Sequence, residues 1–332
     1  MSEIGLDGTR VLVTGSGGFI GSHLTEALVE RGARVRGLVS YNSRNDWGLL
    51  QRIPRDRFEE VEVVPGNLRD PFLVDRVVEG MEIVFHLGAL IPIPYSYVAP
   101  SEYVETNVGG TLNVLEACRR HDVARLVHTS TSETYGTAIY TPIDEKHPLQ
   151  GQSPYSATKI AADKLAESFW RSFETPVVTV RPFNTYGPRQ SARAFLPTVL
   201  AQALEQDVVR VGSLDPVRDM NYVADTVRGF VLAGTVAGVE GGVFNLGSGK
   251  GVTMGDLLEQ AIAAVDRRPA VETDTERVRP EKSEVFELIC DASAAEEALG
   301  WSSQVSLADG VAQTARWVAD NLGDYKAGIY NL

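Results

Sequence analysis

The first half of the chain alternates short apolar runs with amphipathic stretches, and that alternation sets the fold class. VLVTG (11–15) reads as a buried strand and HLTEALVERG (23–32) as a helix closed by a glycine. RVRGLV (34–39), VEVVPG (61–66), IVFHLGA (83–89) and RLVHTST (125–131) read as further strands, with helical patterns near 70–80 and 102–121 between them. Strands separated by helices predict right-handed βαβ units, hence an α/β fold with a doubly wound parallel sheet covered on both faces. VVTVRPFN (177–184) predicts another strand and FNLGSG (244–249) the last. Past Asn184 the pattern loosens: GPRQSARAFLP and VGSLDPVRD are rich in Pro, Gly and Arg and read as loops around a site rather than as core. The C-terminal part mixes helices at 253–266, 292–299 and 306–322 with a short polar stretch, DTERVRPEKSE. No repeat or low-complexity segment interrupts this order.

A length of 332 residues favours two domains. The expected division is residues 1–187 with 220–248, which hold the parallel sheet, and a smaller unit of 188–219 with 249–332. With 43% hydrophobic and 23% charged residues the composition is that of an ordinary globular protein. The formal net charge of −13 argues against nucleic-acid and anionic-membrane partners, although local basic pockets can still take phosphate. Cys118 and Cys290 are the only cysteines, too few for a disulfide scaffold or a structural zinc site, so no metal is expected and both read as buried thiols. MSEIGLDGTR lacks an apolar signal core and no run approaches the roughly 18 residues of a membrane span, so a cytoplasmic protein is expected.

TGSGGFIGSHL (14–24) sets Gly15, Gly18 and Gly21 at GxxGxxG spacing between the first strand and the first helix. In that setting Gly15 permits a tight turn, Gly18 lets the backbone approach a pyrophosphate, and Gly21 lets helix and strand pack closely. The helix N-terminus then faces the phosphates of a dinucleotide. An acidic residue closing the second strand would accept from the ribose 2′-hydroxyl and repel a 2′-phosphate, but LVSYNSRN has none. Ser40, Asn42, Ser43 and Arg44 suit either cofactor, which leaves NAD and NADP both open. Asn67 and Leu68, in PGNLRD, are placed to flank an adenine after the third strand. His86, in VFHLGA, sits at a strand C-terminus beside the expected cleft and reads as support for it; Asn107, in ETNVGG, reads as a holder of nearby backbone.

In SPYSATK, Tyr155 and Lys159 stand four apart and share one helix face. The ammonium is placed to stabilise tyrosinate and draw a phenol pKa of about 10 towards neutrality. A phenolate beside a nicotinamide removes a hydroxyl proton while hydride leaves the same carbon. Glu133, twenty-two residues earlier at the end of RLVHTSTSE, supplies a second base that oxidation alone does not need.

Taken together, TGSGGFIGSHL, HTSTSETYG, SPYSATK, RPFNTYGPRQ and RDMNYVAD closely resemble the extended short-chain dehydrogenase/reductase family of nucleotide-sugar epimerases and dehydratases, over nearly the whole chain. The resemblance implies a Rossmann dinucleotide-binding domain for the first unit and a nucleotide-sugar-binding domain for the second. Ser132-Glu133 looks like the pair of GDP-mannose 4,6-dehydratases. ALIPIPYSY, TSTSETYGTA and RPFNTYGPRQSARAFLPT look closest to the dehydratases of legionaminic-acid-type pathways, which act on nucleotide-linked N-acetylglucosamine. Decarboxylases of nucleotide-linked uronic acids also carry Ser-Glu, and 4-epimerases usually have a small residue where Glu133 stands. Both stay as alternatives, as does a non-catalytic dinucleotide-sensing protein on the same scaffold.

For a 4,6-dehydratase the resemblance implies hydride loss from C4 of the hexose with Tyr155 as base, Lys159 as its electrostatic support and Thr131 positioning the hydroxyl. Glu133 would take the C5 hydrogen and assist loss of the C6 hydroxyl; Ser132 is a weaker acid than the aspartate of the Asp-Glu form, so Glu133 or a water would protonate the leaving hydroxyl. Hydride then returns to C6, so the cofactor should stay tightly bound. The resemblance favours NAD over NADP, although the acidic residue the family often has near Val39 or Ser40 and the aspartate it often has at Asn67 are both missing. The implied cofactor contacts are Gly15, Gly18, Phe19, Ile20, Gly21, Ser40, Asn42, Ser43, Arg44, Asn67, Leu68, Leu87 and Ala89, with Tyr155 and Lys159. Asn184, Arg189, Arg218 and Arg279 are the implied contacts of the diphosphate or its ribose, for which bidentate arginines are well suited; Arg193 is a weaker candidate. A homodimer through the helices near 102–121 and 154–173 is also implied, the second showing Ile160, Leu165, Phe169 and Phe173.

Overall fold

The computed structural model describes residues 4–274 and 285–325. Its strands are β1 (Arg10–Thr14), β2 (Arg34–Ser40), β3 (Glu62–Gly66), β4 (Ile83–His86), β5 (Arg125–Thr129), β6 (Val177–Pro182), β7 (Asn184–Tyr186), β8 (Val208–Val211), β9 (Val217–Tyr222), β10 (Val243–Leu246), β11 (Gly251–Thr253), β12 (Ala270–Thr273) and β13 (Glu287–Leu288). Seven of them form one sheet in the order β10-β6-β5-β4-β1-β2-β3, with every neighbouring pair parallel. The order reverses between β1 and β4, and in a doubly wound sheet the crevice at such a reversal is where ligands bind. Val11, Leu12 and Val13 of β1 and Val84 and Phe85 of β4 are fully buried, as continuous apolar runs must be when helices cover both faces.

The helices are α1 (Phe19–Val29), α2 (Arg55–Phe58), α3 (Pro71–Val78), α4 (Ile93–Val98), α5 (Pro100–Tyr103), α6 (Gly110–Arg120), α7 (Pro154–Phe173), α8 (Phe195–Glu205), α9 (Val223–Thr235), α10 (Met254–Ala264), α11 (Ser293–Leu299) and α12 (Leu307–Asp320). One face of the sheet packs Val13 and Phe85 against Leu24 and Leu28 of α1 and Phe230 of α9. The other packs Leu12 and Val84 against Val74 of α3, Leu115 of α6 and Phe169 of α7. This is the expected Rossmann arrangement.

Three differences from the sequence reading bear on the site. The strand expected over 177–184 breaks after Pro182: β6 stays in the large sheet, while β7 crosses over to pair with β9, Asn184 opposite Met220. Asn184 therefore stands at the crossing. GPRQSARAFLP is loop only in part, because its end opens α8 and buries Leu196 and Pro197; likewise VGSLDPVRD runs into β9. The helical stretch at 102–121 is interrupted by one π turn over Val104–Gly109, a wide turn of the kind often found at functional sites. β9 also pairs with β11 and β13, and β8 with β12, in two small sheets beside the large one. Cys118 and Cys290 are buried thiols. No described helix is long and apolar enough to cross a membrane.

Candidate active site

A cleft of about 1560 Å³ runs along the carboxyl ends of the large sheet and under β7, α8 and β9. Single-ligand pockets usually measure roughly 300–1,000 Å³, so this one has room for two ligands end to end. On the sheet side it is lined by Gly15, Gly18, Phe19, Ile20 and Gly21, by Ser40 and Asn42, by Asn67 and Leu68, and by Leu87 and Ala89, all anticipated from sequence. Gly15 has φ +73°, and a Cβ there would sit 2.9 Å from Cα of Gly88; a Cβ on Gly21 would collide with the Gly15 carbonyl. Gly18 is the N-cap of α1, which has no side-chain cap bond and no acidic residue in its first turn, as suits an anion-binding helix N-terminus. These residues fit a dinucleotide pyrophosphate.

His86 supports this loop from below. Thr111 Oγ1 donates to the Asn107 carbonyl (2.7 Å), so it accepts from His86 Nε2 (3.0 Å) and leaves Nδ1 to accept from Thr14 (2.8 Å). Thr14 Oγ1 in turn receives the Gly88 amide at 3.0 Å. Burial keeps the ring neutral by pushing its pKa well down. Asn107, in the π turn, accepts from Leu90 N at 2.8 Å and donates to Leu90 O at 2.9 Å and to Thr158 at 3.1 Å, so it does hold backbone beside the site.

The catalytic candidates come together at the end of β5. Ser153 caps α7 through a reciprocal box with Ser156 (3.1 and 3.0 Å), and Pro154 opens the first turn, which fixes Tyr155. Thr131 caps the 3₁₀ turn Ser132–Tyr135, its Oγ1 accepting from Glu133 N at 3.2 Å, and it also hydrogen-bonds Tyr155. Thr131, Ser132, Glu133 and Tyr155 all line the cleft. Lys159 is buried one turn behind and donates to the Thr129 carbonyl at 2.6 Å; burial lowers its pKa to about 8, partly offset by Asp163. One expectation is corrected here. The Tyr155 phenol lies above its ordinary pKa because burial and the Glu133 charge outweigh the Thr131 bond, and Lys159 directs its short bond to backbone instead of the phenol.

Three further expectations change. Ser43 and Arg44 are exposed and stay outside the cleft. The reason is Asn42, whose Oδ1 accepts from the amides of Arg44 (3.0 Å) and Asp46 (3.1 Å) and whose Nδ2 donates to the Asp46 carbonyl (2.6 Å). That turn leaves Arg44 exposed outside the cleft lining and brings Asp46 and Trp47 to the cleft wall. Arg189 does not line the cleft either: it is buried with φ +65° and binds Glu26, His23 Nδ1 (2.9 Å) and Ser22 (3.4 Å) on α1. Arg279 lies outside the described residues. Arg218 does line the cleft, buried on β9 with Nη1 donating to its neighbour Val217 (3.0 Å), and Arg193 is exposed along the same wall. Asn184 lines it too, with a buried Nδ2 that finds no protein acceptor among the described residues.

Sequence reasoning missed Asp163. This buried carboxylate accepts from Ser130 (2.7 Å), His128 (3.1 Å) and Arg181 (3.0 Å), tying β5, β6 and α7 together directly behind Thr131 and Lys159. Its spacing of four from Lys159 was the available signal. Tyr103, buried with its ring edge-on to Tyr155 at 6.3 Å, was missed as well, because an isolated aromatic carries no pattern.

The sequence model described as GDP-mannose 4,6 dehydratase matches residues 12–314. The dTDP-glucose 4,6-dehydratase of Streptomyces antibioticus is 33% identical over 320 residues, 94% of this chain and 93% of that protein. The UDP-glucose 4-epimerase of Mycolicibacterium smegmatis is also 33% identical, over 93% of this chain and 98% of its own. Among solved structures, DesIV, a dTDP-glucose 4,6-dehydratase from Streptomyces venezuelae crystallised with NAD, superposes with a TM-score of 0.86 at 30% identity, covering 96% of this chain and 99% of that one. Such coverage leaves no part of the cleft outside the match, and the chain belongs to the GDP-mannose 4,6-dehydratase family of extended short-chain dehydrogenases/reductases.

Proposed function

We propose that this protein is a nucleotide-sugar 4,6-dehydratase, a lyase that converts an NDP-hexose of the N-acetylglucosamine type to its 4-keto-6-deoxy product. The observation that carries the reading is Glu133, a carboxylate on the cleft wall joined to Tyr155 through Thr131. NAD, when bound, supplies the hydride acceptor at C4 and the hydride donor at C6. Tyr155 takes the C4 hydroxyl proton, with Thr131 orienting that hydroxyl. The 4-ketone acidifies the C5 hydrogen; Glu133 removes it and, now protonated, gives that proton to the C6 hydroxyl, which departs as water. Once C6 is reduced, C5 takes up a solvent proton, matched by the C4 hydroxyl proton that Tyr155 releases. Lys159 contributes positive charge behind Tyr155, and its ammonium persists at neutral pH because its lowered pKa is still about 8.

In this reading residues 1–187 with 220–248 hold the dinucleotide, and 188–219 with 249–332 hold the nucleotide sugar. Asn184, Arg218 and Arg193 face the diphosphate, with its ribose and the sugar reaching towards Tyr155. Ligands of this kind suit a cytoplasmic protein, and α6 with α7 is the proposed contact of a homodimer.

The deciding experiment offers UDP-, GDP-, CDP- and dTDP-hexoses, with and without a 2-acetamido group, and reads product mass. Loss of one water (~18 Da) from an acetamido sugar is the expected outcome. No change in mass with altered C4 stereochemistry would favour an epimerase. Loss of CO2 from a uronic acid would make the protein a decarboxylase, with Arg193 as the cation facing the carboxylate.

A further inference from the structure

We infer that Asp46 takes the part of the carboxylate missing from the end of β2: it binds the adenosine ribose of the dinucleotide and makes the cleft selective for NAD over NADP. The inference rests on the dinucleotide reading of the cleft and is independent of which sugar reaction follows.

The end of β2 brings Val39, Ser40 and Tyr41 to the cleft, none of them charged. The chain then doubles back. Asn42 closes the turn through its three backbone bonds, and Asn45 takes the left-handed conformation with φ +52°. The returning segment docks on the glycine loop: Leu49 N donates to Gly17 O at 3.0 Å, and a Cβ on Gly48, where φ is +64°, would lie 2.6 Å from that same carbonyl. Trp47 packs against the cluster of Val39, Leu50, Ile53 and Val61. Asp46 is therefore held beside the glycine loop by backbone contacts on both sides, although its own side chain is exposed.

This is the adenosine end of the cleft. A dinucleotide in a doubly wound sheet lays its pyrophosphate over the glycine loop, with the nicotinamide on one side and the adenosine ribose towards β2 on the other. Thr131 and Tyr155 mark the nicotinamide side at β5, which is separated from β2 by β4 and β1. Asp46 Oδ1 accepts from Gly48 N at 2.8 Å, which orients the carboxylate. That is its one side-chain hydrogen bond, and it has no ion pair, among the described residues. Its second oxygen is thus open to a ribose hydroxyl.

The charge distribution points the same way. A 2′-phosphate would bring about −1.5 to −2 charge against this carboxylate. The arginine that lines this end, Arg69, is paired to Glu105 at 2.9 Å, and Arg44 is exposed and does not line the cleft. Among the described residues the one cation lining this end, Arg69, is already paired, whereas a carboxylate accepting from a ribose hydroxyl makes a charge-assisted bond.

The test measures dissociation constants of NAD and NADP with dinucleotide-free protein and no sugar present, for the parent chain, Asp46→Asn and Arg44→Ala. Asp46→Asn keeps a side-chain oxygen that can still accept from Gly48 N, so the turn is preserved while the charge is removed. The parent should favour NAD, and Asp46→Asn should cut the NAD-to-NADP preference by about tenfold or more, mainly by weakening NAD. Arg44→Ala should leave the preference where it was. The ratio of NAD to NADP released when each purified variant is denatured reads the same preference without stripping. A preference unchanged by Asp46→Asn, or a parent that favours NADP, overturns the inference. Failure of dehydration with every sugar would instead overturn the proposed reaction and leave these binding values standing.

Discussion

Thr131 touches both Tyr155 and Glu133, yet in the proposed reaction the two act on different atoms of the sugar, so their variants should fail at different steps. Tyr155→Phe removes the base for oxidation and should lower the rate on the order of 10² to 10⁴-fold. Glu133→Gln should spare oxidation and block elimination. It should therefore accumulate dihydronicotinamide, absorbing near ~340 nm, and should stop exchanging the C5 hydrogen with deuterated solvent. A Glu133→Gln enzyme that dehydrates at nearly the parental rate would remove Glu133 from the mechanism and move the epimerase reading ahead. The residue pattern made these three side chains legible, because Tyr-x-x-x-Lys and Ser-Glu sit at helix and strand ends. It could not show that Lys159 is bonded to the Thr129 carbonyl, since that depends on how deeply α7 packs over β5.

Arg189 reads as a phosphate ligand in GPRQ, and its observed position makes it a clamp between elements. It joins the corner after β7 to α1, and His23 completes the joint: Nδ1 accepts from Arg189 while Nε2 donates to Pro188 O at 2.8 Å. The ring is neutral in that arrangement. Burial first and the facing guanidinium second lower its pKa from 6.5 to about 4. Between those values the unfolded chain binds a proton that the folded one does not, so this stability is present above pH 6.5 and is lost as pH falls towards 4. The loss is on the order of 2 kcal/mol once partial exposure is discounted. His23→Gln should lower the unfolding midpoint at pH 7 and make its decline between pH 6.5 and 4 shallower than the parent's. Equal slopes in the two proteins would show that His23 is not the linked group. The same corner shows why elements after Asn184 were hard to read. The strands of the large sheet are uniform apolar runs, but α8 and β9 each begin inside segments whose Pro, Gly and Arg serve turns and cleft wall at once. The turn at 42–46 was illegible for a related reason: an asparagine side chain, not backbone pattern, decides which neighbour faces the cleft.

At the scale of the whole molecule the cleft separates its charges. The chain carries a net −13, and on the sheet side the cleft wall bears Asp46, Asp70, Glu102 and Glu133 against Arg69, itself paired to Glu105, while Arg193, Arg210 and Arg218 line the side built from α8, β8 and β9. In the proposed reading a nucleotide diphosphate would be drawn to the cationic side, where Asn184 also offers an amide that finds no acceptor among the described residues. In the proposed reading the dinucleotide would rest instead on the backbone amides and glycines of the loop after β1, with the sugar free to come and go over it. A cofactor that returns its hydride in the same cycle has no reason to leave. The purified protein should therefore carry near-stoichiometric dinucleotide, identified by mass after denaturation, and should turn over without added oxidant. Stripping it should lower the unfolding midpoint, since a ligand held only by the folded state adds stability of about 2.7 kcal/mol at a hundredfold excess over its dissociation constant. Protein that purifies empty and needs stoichiometric external oxidant would rule out the closed redox cycle and, with it, the dehydratase reading.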